Sequence, residues 1–291
     1  MRILRATHLG MCFGVRDAIA LARETAKAAP LTILGDLVHN STVLDALAAD
    51  GIAVARDASS VRTQTVMITA HGTSGRTLAR TRALGFTVVE ATCPLVHVAH
   101  RAVAALSRDG YHVVIVGKRD HVEVRGLTGD LDRFDVILDD QDVFNLEEHA
   151  RIGVAAQTTQ PLEKIRHLVG LIRQRFPHAD VRFVDTVCRP TKQRQTAAVD
   201  MARQSDVVVV VGGSASNNTR ELVRTCSLHC RSVHHVQTEA DLRAEWFDGV
   251  SVVGLTAGTS TPDEIIDRVE MRIRELEART RVEACAAEVL Q

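Results

Sequence analysis

Residues 207–222 read VVVVVGGSASNNTREL: five valines, two glycines, a run of small polar residues and the start of a helical pattern. An unbroken β-branched run of this kind reads as a strand buried on both faces. The glycines loosen the chain for a turn, and Ser and Asn are helix N-cap residues. The stretch therefore predicts strand, polar loop and helix, with backbone amides and Ser/Asn donors placed to hold an anion. It contains neither GxGxxG nor the lysine-bearing phosphate loop, so a dinucleotide site is the weaker reading.

The same order recurs along the chain. Gly212 stands 24 residues after Cys188, Gly117 in YHVVIVG stands 24 after Cys93, and Gly35 in LTILGD stands 23 after Cys12. Each cysteine lies between an apolar run and a helical pattern: GVRDAIALARETAKAA, LVHVAHRAVAALSRDG or PTKQRQTAAVDMARQ. Polar residues follow the glycines: His39, His121, and the group Ser216, Asn217, Asn218. A second echo follows further apolar runs: His71 in ITAHGTS, Thr158 in VAAQTTQ and Ser260 in LTAGTSTP. Strand alternating with helix predicts parallel sheets in an α/β fold. The repeat divides the chain into three related α/β units: 1–92 with an N-terminal strand, 93–187, and 188–291 with a C-terminal helix and tail.

Composition narrows the functional classes. The chain has 291 residues, 24% of them charged, and a formal net charge of −1. That balance gives no global pull toward nucleic acid or an anionic membrane, so any anion is held by a local site. No apolar run approaches the ~20 residues that span a bilayer. The opening MRILRATHLG lacks the apolar core and small-residue cleavage site of a signal peptide. The expected location is the cytoplasm. There, the six cysteines serve as metal ligands, catalytic groups or buried hydrophobes rather than disulfides.

In open α/β units, ligands gather beyond the carboxyl ends of the strands. A ligand site built from the repeat would receive three thiolates, Cys12, Cys93 and Cys188, with no evident fourth. Structural zinc usually has four protein ligands, and iron–sulfur clusters usually have four cysteines. A cluster held by three would leave one iron open as a Lewis acid beside an electron source. A zinc hydrolase or lyase with three-cysteine or mixed Cys/His ligation is the competing metal reading, although no HExxH spacing supports it. Cys226, Cys230 and Cys285 lack the repeat context and read as structural. His39, His71 and His121 offer hydrogen bonds and, when protonated, positive charge to phosphate oxygens. Glu123 stands two residues past His121; in an extended segment the two side chains would share a face. An acid there is placed to deliver a proton to a bound substrate.

The segments GMCFGV, LVHN, TAHGTS, ATCPLV, HVEVRG, QTT, DTVCRPTKQRQ, SNNTREL and TAGTSTP occur in that order. Together they resemble the 4-hydroxy-3-methylbut-2-enyl diphosphate reductase family over nearly the whole chain. The resemblance implies a three-unit α/β trefoil around an oxygen-sensitive 4Fe-4S cluster, with Cys12, Cys93 and Cys188 as its ligands. It implies that His39, His71 and His121, with Ser216, Asn217, Asn218 and Ser260, surround an allylic diphosphate substrate. Thr158 and Thr191 match hydroxyls near the substrate's reacting end, and Glu123 matches the proton-delivering acid. The implied reaction removes the allylic hydroxyl with two electrons and two protons, giving isopentenyl and dimethylallyl diphosphate. The electrons would come from a ferredoxin- or flavodoxin-like donor. Val122 stands where the family has proline, and Ala215 and Asn217 replace Asn and Ser of the family's Asn-Ser-Ser-Asn loop. These departures keep an alternative in view: a divergent paralogue serving as an iron–sulfur redox sensor or binding protein without turnover.

Overall fold

The computed structural model describes residues 1–289, the side chains of 279–289 excepted. Its first elements are β1 (Arg2–Arg5), α1 (Phe13–Ala28), β2 (Leu31–Leu34), α2 (Ser41–Ala49), β3 (Ala53–Ala55), β4 (Thr65–Ile68), α3 (Gly75–Ala83) and β5 (Thr87–Glu90). There follow α4 (Pro94–Arg108), β6 (His112–Val116), α5 (Val122–Thr128), β7 (Phe134–Ile137), α6 (Asp140–Phe144), β8 (Arg151–Ala156), α7 (Leu162–Arg175) and β9 (Asp180–Phe183). The last elements are α8 (Arg189–Ala202), β10 (Val207–Val211), α9 (Asn217–Ser227), β11 (Ser232–Val236), β12 (Val252–Ala257) and α10 (Asp263–Val289). The strands form three four-stranded sheets, in the orders β3-β2-β4-β5, β7-β6-β8-β9 and β1-β12-β10-β11. All pairings are parallel. Parallel neighbours need crossovers, and the helices supply them. The α/β class with three repeated sheets, expected from the sequence, is the fold observed.

The three sheets share one plan. The strand that precedes the first polar loop (β2, β6 or β10) pairs with the strand that precedes the second loop (β4, β8 or β12). The latter pairs with an edge strand, β5, β9 or β1. The N-terminal strand thus pairs with β12, with Ile3 opposite Val253, and completes the third sheet.

The chain forms two compact units. The first comprises Met1–Cys12, His39–Ser41 and the chain from Lys192 onward. Its core explains the valine run. Val207, Val209 and Val211 pack with Leu255, Ile265, Ile266 and Val269 on one face of the sheet. Val208 and Val210 pack with Ala198, Met201, Leu222 and Cys226 on the other. A valine buried on either face contributes roughly 1.5–3 kcal/mol, so helices must cover both. Cys226 and Cys230 are core residues, as their structural reading expects. Burial pushes the Cys226 thiol up to about 12, with Cys230 adding to the shift. Cys285 falls among the side chains that are not described.

The second unit, Phe13–Val38 and Thr42–Thr191, holds the other two sheets. Val113 and Ile115 pack with Ala99, Val103, Val124 and Leu127. Val114, Val116 and Val154 pack with Ile165, Leu168 and Ile172. The alternation along β6 sends neighbours to opposite helical layers. No helix among the described residues is long and apolar enough to cross a membrane.

One local expectation changes. His121, Val122 and Glu123 do not form an extended segment: His121 is the N-cap of α5 and Glu123 lies in its first turn. The imidazole Nδ1 accepts a hydrogen bond from the Glu123 backbone at 3.2 Å, so a local cap overrides the alternation.

Candidate active site

Each repeat cysteine sits immediately before a helix: Cys12 before α1, Cys93 as N-cap of α4 with Pro94 at N1, and Cys188 before α8. The positive end of a helix dipole favours anionic sulfur at such a position. The three are also anchored alike. The backbone N–H donates to a carbonyl two residues beyond a strand end: Cys12 to Thr259 at 3.0 Å, Cys93 to Ala70 at 3.1 Å and Cys188 to Thr158 at 3.1 Å. The strands concerned are β12, β4 and β8, the ones that carry the second echo. All three cysteines are part-exposed.

In the second unit, the polar loops after β4, β6 and β8 bring a histidine pair and an acid into play. The His71 and His121 rings meet edge to face, with centroids 5.5 Å apart. Because His121 Nδ1 accepts from the backbone, a neutral ring carries its proton on Nε2, where it is a donor. Glu123 is only 1% exposed. Its Oε1 accepts from the Thr158 backbone N–H at 2.6 Å and its Oε2 accepts from the Thr158 hydroxyl at 3.1 Å. Burial pushes its carboxyl up to about 7, against the two Thr158 bonds, which pull it down. The Cys188 sulfur lies 3.1 Å from the hydroxyl of Thr191, which is fully buried. Gly14, in the first turn of α1, lies against Cys93: a Cβ there would strike the Cys93 sulfur.

In the first unit, Ser216 caps α9, its hydroxyl accepting from the Thr219 N–H at 3.3 Å. Asn217 and Asn218 follow, both buried. Asn218 Oδ1 accepts from the Thr259 N–H at 3.0 Å, while its Nδ2 is buried with no hydrogen-bond partner among the described residues. A buried amide donor without a partner is costly unless a ligand takes it up. The Ser260 hydroxyl donates to the His39 carbonyl at 3.4 Å, and Asn40 Nδ2 donates to the Ser260 carbonyl at 2.9 Å. Gly213 lets the His39 backbone close in: a Cβ there would meet the His39 carbonyl oxygen at 2.5 Å.

Within one unit, then, the fold brings together His71 with His121, Glu123 with Thr158, and Cys188 with Thr191. Within the other it brings together His39 with Ser260, and both Cys12 and Asn218 with Thr259. Three contributors escaped the sequence reading. Thr259 is masked by its neighbour Ser260, since two hydroxyls in TAGTSTP look alike before the backbone is known. Asn40 is hidden next to His39. Arg194 is buried and gives Nε and Nη2 to the Gly10 carbonyl at 2.9 and 2.7 Å, fixing the turn that leads to Cys12. Its signal was its place in DTVCRPTKQRQ.

The chain matches the family model described as LytB protein over residues 3–274. A 4-hydroxy-3-methylbut-2-enyl diphosphate reductase from Pelobacter propionicus is 38% identical over 278 residues, covering 95% of this chain and 99% of the relative. One from Aquifex aeolicus is 36% identical over 280 residues, covering 94% and 96%. Among solved structures, one is described as (E)-4-hydroxy-3-methyl-but-2-enyl diphosphate reductase, the terminal enzyme of the non-mevalonate pathway. It is 36% identical, with a TM-score of 0.68, over 94% of this chain and 100% of its own. The E-1-hydroxy-2-methyl-but-2-enyl-4-diphosphate reductase from Plasmodium falciparum is 26% identical, with a TM-score of 0.86, over 91% and 86%.

Proposed function

The chain belongs to the LytB protein family, and from that premise we propose that it is a 4-hydroxy-3-methylbut-2-enyl diphosphate reductase. The reaction removes an allylic hydroxyl: the C–O bond breaks, two electrons and two protons enter, and water leaves with isopentenyl or dimethylallyl diphosphate as product. We assign a 4Fe-4S cluster as cofactor, with Cys12, Cys93 and Cys188 as ligands, one from each of the segments 1–92, 93–187 and 188–291. Supporting this donor set are three part-exposed cysteines, each at a helix start and each anchored through its own backbone N–H. When bound, the cluster supplies the electrons and a Lewis-acidic iron for the substrate oxygen. The electron donor is a small ferredoxin- or flavodoxin-like protein, and the cytoplasm is the compartment.

The chain's own groups supply the rest. His39, His71 and His121, with Ser216, Asn217, Asn218 and Ser260, hold the diphosphate; the unpartnered Asn218 Nδ2 is a ready donor. Holding that end fixes where the allylic end lies. Thr158 and Thr191 offer hydroxyls at the reacting end. Glu123 carries the assignment: a buried acid raised to about 7 holds a proton near neutral pH and passes it through the Thr158 hydroxyl to the departing oxygen. The sensor alternative gives this acid no task.

The test is anaerobic purification with iron and sulfide counts, a visible spectrum and turnover with a low-potential reductant. The expected result is a brown, active protein whose cluster content falls in Cys12→Ser, Cys93→Ser and Cys188→Ser. A colourless protein after anaerobic reconstitution, with variants indistinguishable from wild type, would overturn the assignment.

A further inference from the structure

A second set of ligating side chains converges at the opposite end of the β7-β6-β8-β9 sheet from the polar loops. His112 opens β6, Asp135 lies on β7, and His149 stands just before β8. Asp135 is in register with Val114, two residues past His112, so His112 and Asp135 share a face of the sheet. His112 Nε2 lies 2.8 Å from Asp135 Oδ2. The His149 ring stacks on His112, with centroids 3.7 Å apart and planes 11° from parallel. One nitrogen from each ring and one carboxylate oxygen lie within 4.8 Å of one another, and all three residues are half-buried.

Two imidazoles and a carboxylate are the donors that zinc and neighbouring divalent transition metals take from proteins. A histidine ring ligates a metal through a ring nitrogen's lone pair. Two of the three donors stand on paired strands of one sheet, which sets their spacing. The third is carried by the segment 145–150, which is neither strand nor helix. A ring nitrogen's lone pair lies in the ring plane, so His149 would have to turn out of the stack to complete the set.

We propose that His112, Asp135 and His149 bind a divalent transition-metal ion, zinc being the reference case, with water in the open positions. The ion would tie β6, β7 and the chain entering β8 together. It is separate from the cysteine-ligated cofactor and independent of the reaction assigned above.

The cluster-loaded protein, kept anaerobic, is titrated with Zn²⁺ by calorimetry alongside His149→Ala and Asp135→Asn. Wild type is expected to take up one equivalent. Either variant should bind about tenfold or more weakly, since losing even a supporting partner of a metal ligand commonly costs that much. Iron and sulfide content and turnover should stay at wild-type levels in both variants, which separates lost binding from lost folding. Zinc-edge X-ray absorption on wild type at one equivalent reads the ligands directly, whatever the variants do. A nitrogen/oxygen shell near about 2.0–2.1 Å supports the site, whereas sulfur near about 2.3 Å places the ion on cysteine and overturns it. No uptake by wild type, or equal uptake by all three proteins, overturns it as well.

Discussion

The loops after β6 and β10 occupy the same place in two sheets and carry different chemistry. In each, the N-cap side chain accepts from the following helix: His121 Nδ1 from Glu123, Ser216 Oγ from Thr219. In each, the residue two past the cap sends a side-chain oxygen to the backbone N–H of a threonine two residues beyond the neighbouring strand. Glu123 takes Thr158 at 2.6 Å and Asn218 takes Thr259 at 3.0 Å. Those same threonines accept the N–H bonds of Cys188 and Cys12. The scaffold is thus repeated while the group on it changes, from a neutral amide to an acid that can hold a proton. On the function proposed above, one copy of the loop binds and the other also moves a proton.

Exchanging the acid for its amide should break the contrast most sharply. Glu123→Gln keeps an oxygen for the Thr158 N–H but has no proton to give. Turnover should fall by about 10²–10⁴-fold, the usual worth of a positioned general acid, while cluster content and the circular dichroism spectrum stay unchanged. The same variant reports on stability. A carboxyl raised from 4.5 to about 7 on folding binds more protons folded than unfolded between those pH values. Its burial is harmless below about pH 4.5, and stability is lost as pH rises through about 7. Glu123→Gln should therefore be more stable than wild type at pH 8, by on the order of 3 kcal/mol, with the gap closing toward pH 4.5. Urea unfolding at the two pH values checks this.

On the binding side, Asn218→Ala leaves the Thr259 N–H without its acceptor and removes the unpartnered Nδ2. It should cost about 1–3 kcal/mol of stability and raise KM more than it lowers kcat, as steady-state kinetics with urea unfolding would read. Smaller still, Gly213→Ala forces the His39 carbonyl back from its close approach. The expected loss is about 1–3 kcal/mol, as for other overpacked sites, read as a lower Tm with cluster content retained.

Much of this was legible in the sequence because the chain repeats itself. The valine run, the glycines and the cysteine spacing gave the parallel sheets, and the polar residues past each strand gave most of the proposed site. The short edge strands β3, β7 and β11 left little trace. AVA, FDVI and SVHHV are only partly buried, so no continuous apolar run marks them. The role of β1 was hidden for a different reason: nothing local in RILR says that it pairs with a strand some 250 residues away. The helical cap at His121 was missed because HVE fits an extended segment equally well until the Nδ1 bond is seen. Thr259 and Arg194 act through backbone groups, which residue type alone does not disclose.

The contrast between the two loops rests on Glu123 working as an acid whose proton is tuned by Thr158. The most direct measurement is kcat against pH for wild type, Thr158→Val and Glu123→Gln, each with its cluster intact. In wild type kcat should fall above about pH 7 as the carboxyl loses its proton. Thr158→Val removes a bond that pulls the carboxyl down, so its falling limb should move to higher pH. Glu123→Gln should be slow and without that limb. A limb at the same pH in all three proteins, or wild-type turnover in Glu123→Gln, would contradict the assignment.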